Sequence, residues 1–227
     1  RKVPDANAIW TDEAILKLQD VDIAVAVATE AIDRLQPTAA SHSRVMILEV
    51  MGRDAGHVAL AAGIAGGADV ILIPEIGWKL ESIVTKIREI QASGRNHALI
   101  VVSEAIKTET GEGLKQTFSD GQKRYGGVGN YIATLVAEAT GAETRVTVLG
   151  HVTRGAPPTH MDRQIGLAFG VHAVDLVEQR KFDRMVAWSN RRVIDVPIEE
   201  AIASYQAVDV NGPLVHTARQ LGICLGD

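Results

Sequence analysis

The chain has a single cysteine, Cys224, among 227 residues, so no intrachain disulfide can form and a reducing, cytosolic setting is expected. Aromatic residues make up only 4% of it, which suits closely packed helices on a β-branched sheet better than a sandwich with aromatic layers. No apolar run approaches the roughly 18 residues needed to span a bilayer, and no signal-peptide pattern opens the chain. Positive charge is not in excess either: the net charge of −5 argues against nucleic acid or an anionic membrane as partner, while leaving room for a local basic pocket. The seven histidines include no HExxH and no pair at helical ligand spacing beside a carboxylate, so no dedicated metal site is expected. There is no GxSxG and no Walker lysine motif, and Cys224 reads as structural rather than nucleophilic. Gly126-Gly127-Val128-Gly129 precedes a helical pattern but follows no strand, and reads as a turn and helix entry rather than a phosphate loop.

What the chain does have is Ala, Val, Ile and Gly, within a hydrophobic content of 46% and a charged content of 22%, ordinary for a soluble globular protein. Its length fits one large domain or two small ones. Residues 1–20 are mixed, with a short helical pattern at Ile15, Leu16 and Leu18. Apolar spacing then predicts a helix over 24–35, a strand over 45–50 (VMILEV), and a helix over 54–65 capped by Asp54 and stopped by Gly66-Gly67. A strand at 70–73 follows, then a helix whose apolar face runs from Leu80 to Ile90, and a strand at 98–102. Residues 105–123 are polar and read as loop. Helices are expected at 128–140, 161–179, 198–205 and 213–220, and strands at 146–149, 185–189 and 192–196. Alternating strands and helices with nearly continuous apolar strands imply a three-layer, Rossmann-like α/β fold, a parallel sheet covered on both faces.

In such a sheet a ligand binds beyond the carboxyl ends of the strands. One strand delivers Met51, Gly52 and Arg53 there, another Glu104, and a third His151 with Arg154 in the turn after it. Guanidiniums grip phosphate in a forked geometry, each such bond contributing roughly 1.5–3 kcal/mol. Gly52 lets the backbone approach a ligand closely, and a helix starting near Asp54 aims its N–H groups the same way. A carboxylate opposite two cations suits a phosphorylated polyol, although strand ends are polar in any protein. Arg44 and Arg145 each precede a predicted strand and so belong to the opposite edge, roughly 15–20 Å away at about 3.3 Å per residue. They are either solvated surface charges or residues that complete the site of a neighbouring subunit, which requires a symmetric oligomer.

The stretch 31–75, AIDRLQPTAASHSRVMILEVMGRDAGHVALAAGIAGGADVILIPE, resembles bacterial 6-phosphofructokinases, as do LIVVSE at 99–104 and ETRVTVLGHVTRGAPPTHMDR at 143–163. The similarity runs from about Asp22 to the C-terminus. It implies transfer of a phosphoryl group from ATP or pyrophosphate to the 1-hydroxyl of fructose 6-phosphate, with Mg2+, in a cytoplasmic glycolytic homo-oligomer. It also implies that Met51, Gly52, Arg53, Glu104, His151, Val152, Thr153 and Arg154 contact fructose 6-phosphate, and that Arg53 stabilises the phosphoryl group in transfer. By the same resemblance Arg44 and Arg145 hold the 6-phosphate from the adjacent subunit. The sugar-phosphate domain is expected over 21–151 and 206–227, with 152–205 a remnant of the donor domain and 1–20 unassigned.

The departures bear on activity. The family carries upstream a Gly-Gly-Asp-Gly/Asp-Ser/Thr loop for the donor phosphates and magnesium, and a Thr-Ile-Asp-Asn-Asp segment whose first aspartate takes the proton. Neither occurs in this sequence, where TDEAILKLQDVDIA stands instead and neither Asp20 nor Asp22 has the context of a general base. The chain, which starts at Arg1, therefore reads as an N-terminally truncated enzyme that retains sugar-phosphate binding, or as a non-catalytic binding or regulatory subunit.

Overall fold

A computed structural model describes residues 19–117, 123–203 and 206–227. In chain order the elements are α1 (Gln19–His42), β1 (Val45–Val50), α2 (His57–Ala65), β2 (Val70–Leu72), α3 (Leu80–Ala92), β3 (Ala98–Ser103), β4 (Lys115–Thr117), β5 (Lys123–Tyr125), α4 (Val128–Thr140) and β6 (Thr144–Val148). A 3-10 turn, Gly150–Arg154, follows, and then α5 (His160–Glu178), β7 (Arg184–Ser189), β8 (Arg192–Pro197), α6 (Ile198–Ala203) and α7 (Pro213–Gln220). The chain divides into two compact units, one of residues 24–155 with 207–227, the other of 156–206 with the chain up to Ile23. The reading of residues 1–18, and the end of the helix expected over 198–205, lie outside the described residues.

The larger unit is built on a parallel four-stranded sheet in the order β2-β3-β1-β6. Every residue of β1 and β3 is buried, which is why these strands read as unbroken apolar runs rather than alternating ones. Val45, Ile47, Ile100 and Val102 face α3 and α4, packing with Ile83, Ile87, Ile132 and Val136. The other face carries α2, whose Gly63 lies against Ile71, and α1, whose Ile32 lies against Gly66. The last residues extend the free edge of β2: Ile71 N donates to Cys224 O at 2.9 Å, and Cys224 N to Asp69 O at 3.0 Å. Burial pushes the Cys224 thiol above its ordinary value, consistent with a structural cysteine.

Several boundaries differ from the sequence-based expectation. The first helix runs on past Pro37 to His42, held by Ala39, which is fully buried. The helix expected from Asp54 starts at His57 on Gly56, with no side-chain cap. Part of the expected loop 105–123 pairs instead as an antiparallel hairpin, β4 with β5. Its residues are polar with no apolar alternation, so nothing in the pattern announced strands. β6 starts at Thr144 because Thr144 and Arg145 pair with Val45 and Met46, so Arg145 lies inside the strand rather than before it.

In the smaller unit β7 and β8 form an antiparallel hairpin, separate from the parallel sheet. Asn190 and Arg191 at its turn both have positive φ, 47° and 60°, the backbone of a tight two-residue hairpin turn. Helix α5 opens with a capping box: Thr159 accepts from Asp162 N, and the Asp162 carboxylate accepts from Thr159 N. Asp195 of β8 is paired with Arg184. Burial alone would raise its carboxyl, but the hydrogen bond and charge of Arg184 outweigh that and hold it below its ordinary value.

Candidate functional site

The order β3-β1-β6 places three strand ends side by side. Val50 pairs with Ser103 and Glu49 with Val148, so the chain leaves the sheet at nearly one level on all three strands. Glu104 N then donates to Val50 O at 3.0 Å, and Leu149 N to Glu49 O at 3.1 Å. The Met51–Arg53 turn therefore emerges between Glu104 on one side and the turn bearing His151 and Arg154 on the other. Arg53, His151, Val152 and Arg154 are exposed, while Met51, Gly52 and Glu104 are half-buried.

Glu104 is not simply an acceptor waiting for ligand hydroxyls. Its Oε1 accepts from Gly52 N at 3.2 Å and from Arg53 N at 2.9 Å, binding the turn to the end of β3. That turn is tight: a Cβ on Gly52 would lie 2.4 Å from the Ala55 carbonyl oxygen, so only glycine fits. Arg53 itself adopts φ +52°, a left-handed backbone that a bulky residue takes only when its surroundings enforce it. The two hydrogen bonds that Glu104 accepts are part of that enforcement.

Two sequence-based expectations change at this edge. Thr153 is 1% exposed and its hydroxyl donates to Gly150 O at 2.8 Å, so it closes the 3-10 turn instead of facing a ligand. At the N-terminus of α2 one N–H is engaged by a carboxylate, not by Asp54 but by Glu75: Gly56 N donates to it, at 3.0 Å to Oε1 and 3.2 Å to Oε2. Glu75 Oε1 also accepts from Val208 N at 2.8 Å, so this carboxylate ties β2, α2 and the returning C-terminal segment together.

At the opposite edge of the sheet Arg44 and Arg145 are joined by one carboxylate. Glu143 takes Arg44 at 2.9 Å and also pairs with Arg145. The hydrogen bond from Arg44, with the charge of both arginines, holds Glu143 below its ordinary value. Arg44 directly precedes β1 and Arg145 pairs with Met46 near its start, so both stand about one strand length from the Met51–Arg53 turn. Arg44 Nε is buried and makes no hydrogen bond among the described residues.

Two residues of the site went unnoticed in the sequence. Glu49 lies within β1, is 3% exposed, and accepts from Gly129 N at 2.8 Å at the start of α4. Burial pushes its carboxyl up against the opposing bond from Gly129, and the charge of Glu104 pushes the same way. A lone acid inside VMILEV was the available signal. Tyr125 ends β5 and donates its hydroxyl to Asp54 Oδ1 at 2.7 Å; no motif marks it. That bond, first, and burial push the phenol up to about 12. Among the described residues no three His, Cys, Asp or Glu side chains converge as metal ligands. Among them also, no helix is long and apolar enough to cross a membrane.

The result is an α/β protein with Arg53, His151 and Arg154 exposed at the carboxyl edge of its parallel sheet. It belongs to the phosphofructokinase family: the family model described as Phosphofructokinase matches residues 21–177. The chain is 62% identical over 206 residues to ATP-dependent 6-phosphofructokinase 1 of Synechocystis sp., covering 91% of this chain and 57% of that protein. It is 45% identical to the ATP-dependent 6-phosphofructokinase of Thermosynechococcus vestitus, covering all of this chain and 59% of the relative. Among solved structures, phosphofructokinase from Saccharomyces cerevisiae superposes with a TM-score of 0.71 at 25% identity, over 96% of this chain and 28% of the yeast chain. The pyrophosphate-dependent phosphofructokinase of Nitrosospira multiformis, at 20% identity and a TM-score of 0.69 over 97% of this chain and 60% of its own, shares the fold. The chain thus spans less than two thirds of the length of these relatives.

Proposed function

We propose that the chain carries the fructose 6-phosphate-binding part of a cytosolic, glycolytic 6-phosphofructokinase whose phosphoryl donor is ATP. The observation that carries this reading is the convergence of three adjacent strand ends, with Arg53 held left-handed by Glu104 between them. The names of the cyanobacterial relatives favour ATP over pyrophosphate, since the pyrophosphate-dependent neighbour shares only the fold. In this reading Arg53, His151 and Arg154 meet the sugar phosphate, while Met51 and Gly52 line its approach. Arg53 also offsets charge on the phosphoryl group in transfer, because such transfer depends on positioning and charge neutralisation. Magnesium would supply the remaining neutralisation, through ligands outside the described residues.

The donor loop and the proton-accepting aspartate have no counterpart in this sequence. These 227 residues alone should therefore bind the sugar phosphate without turning it over. Calorimetry with fructose 6-phosphate and a coupled kinase assay with ATP and Mg2+ separate the two claims. Binding without turnover is expected, and Arg53→Ala should weaken binding about ten- to hundredfold, the worth of one charge-assisted contact. Turnover that Arg53→Ala abolishes would overturn the absence of activity; no binding at millimolar sugar phosphate would overturn the site.

A second reading is favoured by the paired arginines on Glu143. They lie one strand length from the local crevice and suit a contribution to the 6-phosphate of a neighbouring subunit, in a homo-oligomer or as a non-catalytic subunit beside a complete enzyme. Co-purification with an active phosphofructokinase, lost in an Arg44→Ala, Arg145→Ala variant, distinguishes that arrangement from an isolated fragment.

A further inference from the structure

The connection from β3 to α4 meets the Arg53 turn at both of its ends. It departs at Glu104, which accepts from Gly52 N and Arg53 N. It returns at Tyr125, whose hydroxyl donates to Asp54 Oδ1 at 2.7 Å. The other oxygen of Asp54, Oδ2, lies 3.7 Å from Arg53 Nε. One segment therefore grips the backbone of Arg53 from one side and, through Asp54, its guanidinium from the other.

We propose that Tyr125 is a positioning residue of the sugar-phosphate crevice, fixing Asp54 so that Asp54 in turn fixes the direction of the Arg53 guanidinium. This rests on the reading of the crevice given above. The pair Arg53–Asp54 cannot do this unaided. Its side chains are 55% and 49% exposed, and an exposed ion pair gains little after two side chains have been ordered. The phenol changes that balance by ordering Asp54 beforehand, so the pairing no longer has to order Asp54 as well. Tyr125 suits the task because it ends a strand at a ladder position, opposite Lys115, where its backbone is held. Two residues on, Gly127 adopts φ +88° as α4 begins, and α4 is anchored on β1 through Gly129 and Glu49. The hydroxyl keeps its proton over the whole physiological range, so it remains a donor to Asp54.

Two readouts on the whole chain test this. Calorimetry with fructose 6-phosphate compares the wild type with Tyr125→Phe, Asp54→Asn and the double variant. The second readout is nitrogen-detected NMR of the Arg53 Nε–H group, assigned by its loss in Arg53→Lys. Tyr125→Phe keeps the ring and removes only the donor, so the melting temperature should stay within about 2 °C while affinity falls about five- to tenfold, less than for loss of a direct charge-assisted contact because the bond acts through Asp54. The double variant should lose no more than the larger single loss, because both changes break the same chain of contacts. Solvent exchange of Arg53 Nε–H should accelerate several-fold in Tyr125→Phe. Unchanged affinity with unchanged exchange would overturn the proposal, as would losses that simply add. If the wild type binds no sugar phosphate, the reading of the crevice fails on its own, and the Arg53 exchange rate still decides whether Tyr125 positions it.

Discussion

Glu49 shows how a single residue can be at odds with its surroundings and still be legible. In the sequence it is one acid in a six-residue apolar run, and the run decided the assignment as a buried strand. The strand is indeed buried throughout, so the carboxyl is buried with it. Its partner, Gly129 N, comes from a helix eighty positions further on, which no local pattern could supply. The pH consequence follows from the direction of its shift. Burial raises Glu49 above its ordinary 4.5, so the folded chain binds its proton more tightly than the unfolded chain does. Its contribution to stability is then fully present below pH 4.5 and is lost as pH rises through the raised folded value. Glu49→Gln keeps an acceptor for Gly129 N and has no charge to desolvate. Chemical denaturation of this variant should show a flatter fall in stability than the wild type as pH rises above 4.5, with a cost of no more than about 1 kcal/mol at any pH. Glu49→Leu leaves Gly129 N without an acceptor and should cost about 1–3 kcal/mol. Parallel pH profiles for wild type and Glu49→Gln would mean that Glu49 does not titrate differently in the folded state.

Among elements, α2 carries most of what was readable and part of what was not. HVALAAGIA is apolar all round, the pattern of a helix enclosed by its neighbours, and Val58, Ala59, Leu60, Ala62 and Gly63 are buried. Its start was misplaced because Asp54 looked like a cap, whereas the carboxylate engaged there belongs to Glu75, nineteen residues after Gly56. The long apolar strands and helices were legible for the same reason, that burial on one face or both imposes a period. The two hairpins differed: β7–β8 has apolar residues and was read as strands, while β4–β5 is polar and was read as loop. Gly63 of α2 brings two effects into opposition. Alanine is favoured over glycine inside a helix by about 1 kcal/mol. A Cβ at Gly63, however, would lie 2.5 Å from Cδ1 and 2.6 Å from Cγ1 of Ile71, which is fully buried. Relieving that overlap means shifting a core isoleucine, at about 1–3 kcal/mol. Gly63→Ala should thus lower the denaturation midpoint, by up to about 2 kcal/mol net. A variant more stable than the wild type would show that Ile71 repacks without strain.

For the whole molecule, the division into two units implies unequal stability. The larger unit has β1 paired on both sides, between β3 and β6, and every residue of β1 and β3 is buried. The smaller unit rests on the two strands β7 and β8, in which Ala187 is the buried residue of its strand and the others are half-buried. Its helix α5 buries Asp162, Ile165 and Leu176, but Leu167 is 73% exposed and Val171 65%. A two-stranded ribbon is marginal in water unless something covers a face of it. α5 and α6 supply cover here, yet much of the apolar surface of α5 contributes nothing to burial. Local opening should therefore cost much less in the smaller unit than in the larger one. Native-state hydrogen exchange of the whole chain should find the amides of Ile47, Leu48, Ile100 and Val101 protected about a hundredfold or more beyond those of Val186, Ala187 and Ile194. Exchange in the hairpin should also respond weakly to added denaturant, since its opening exposes little buried surface. Equal protection in both units, with equal denaturant dependence, would require them to open as one cooperative body and would defeat the expectation of unequal stability.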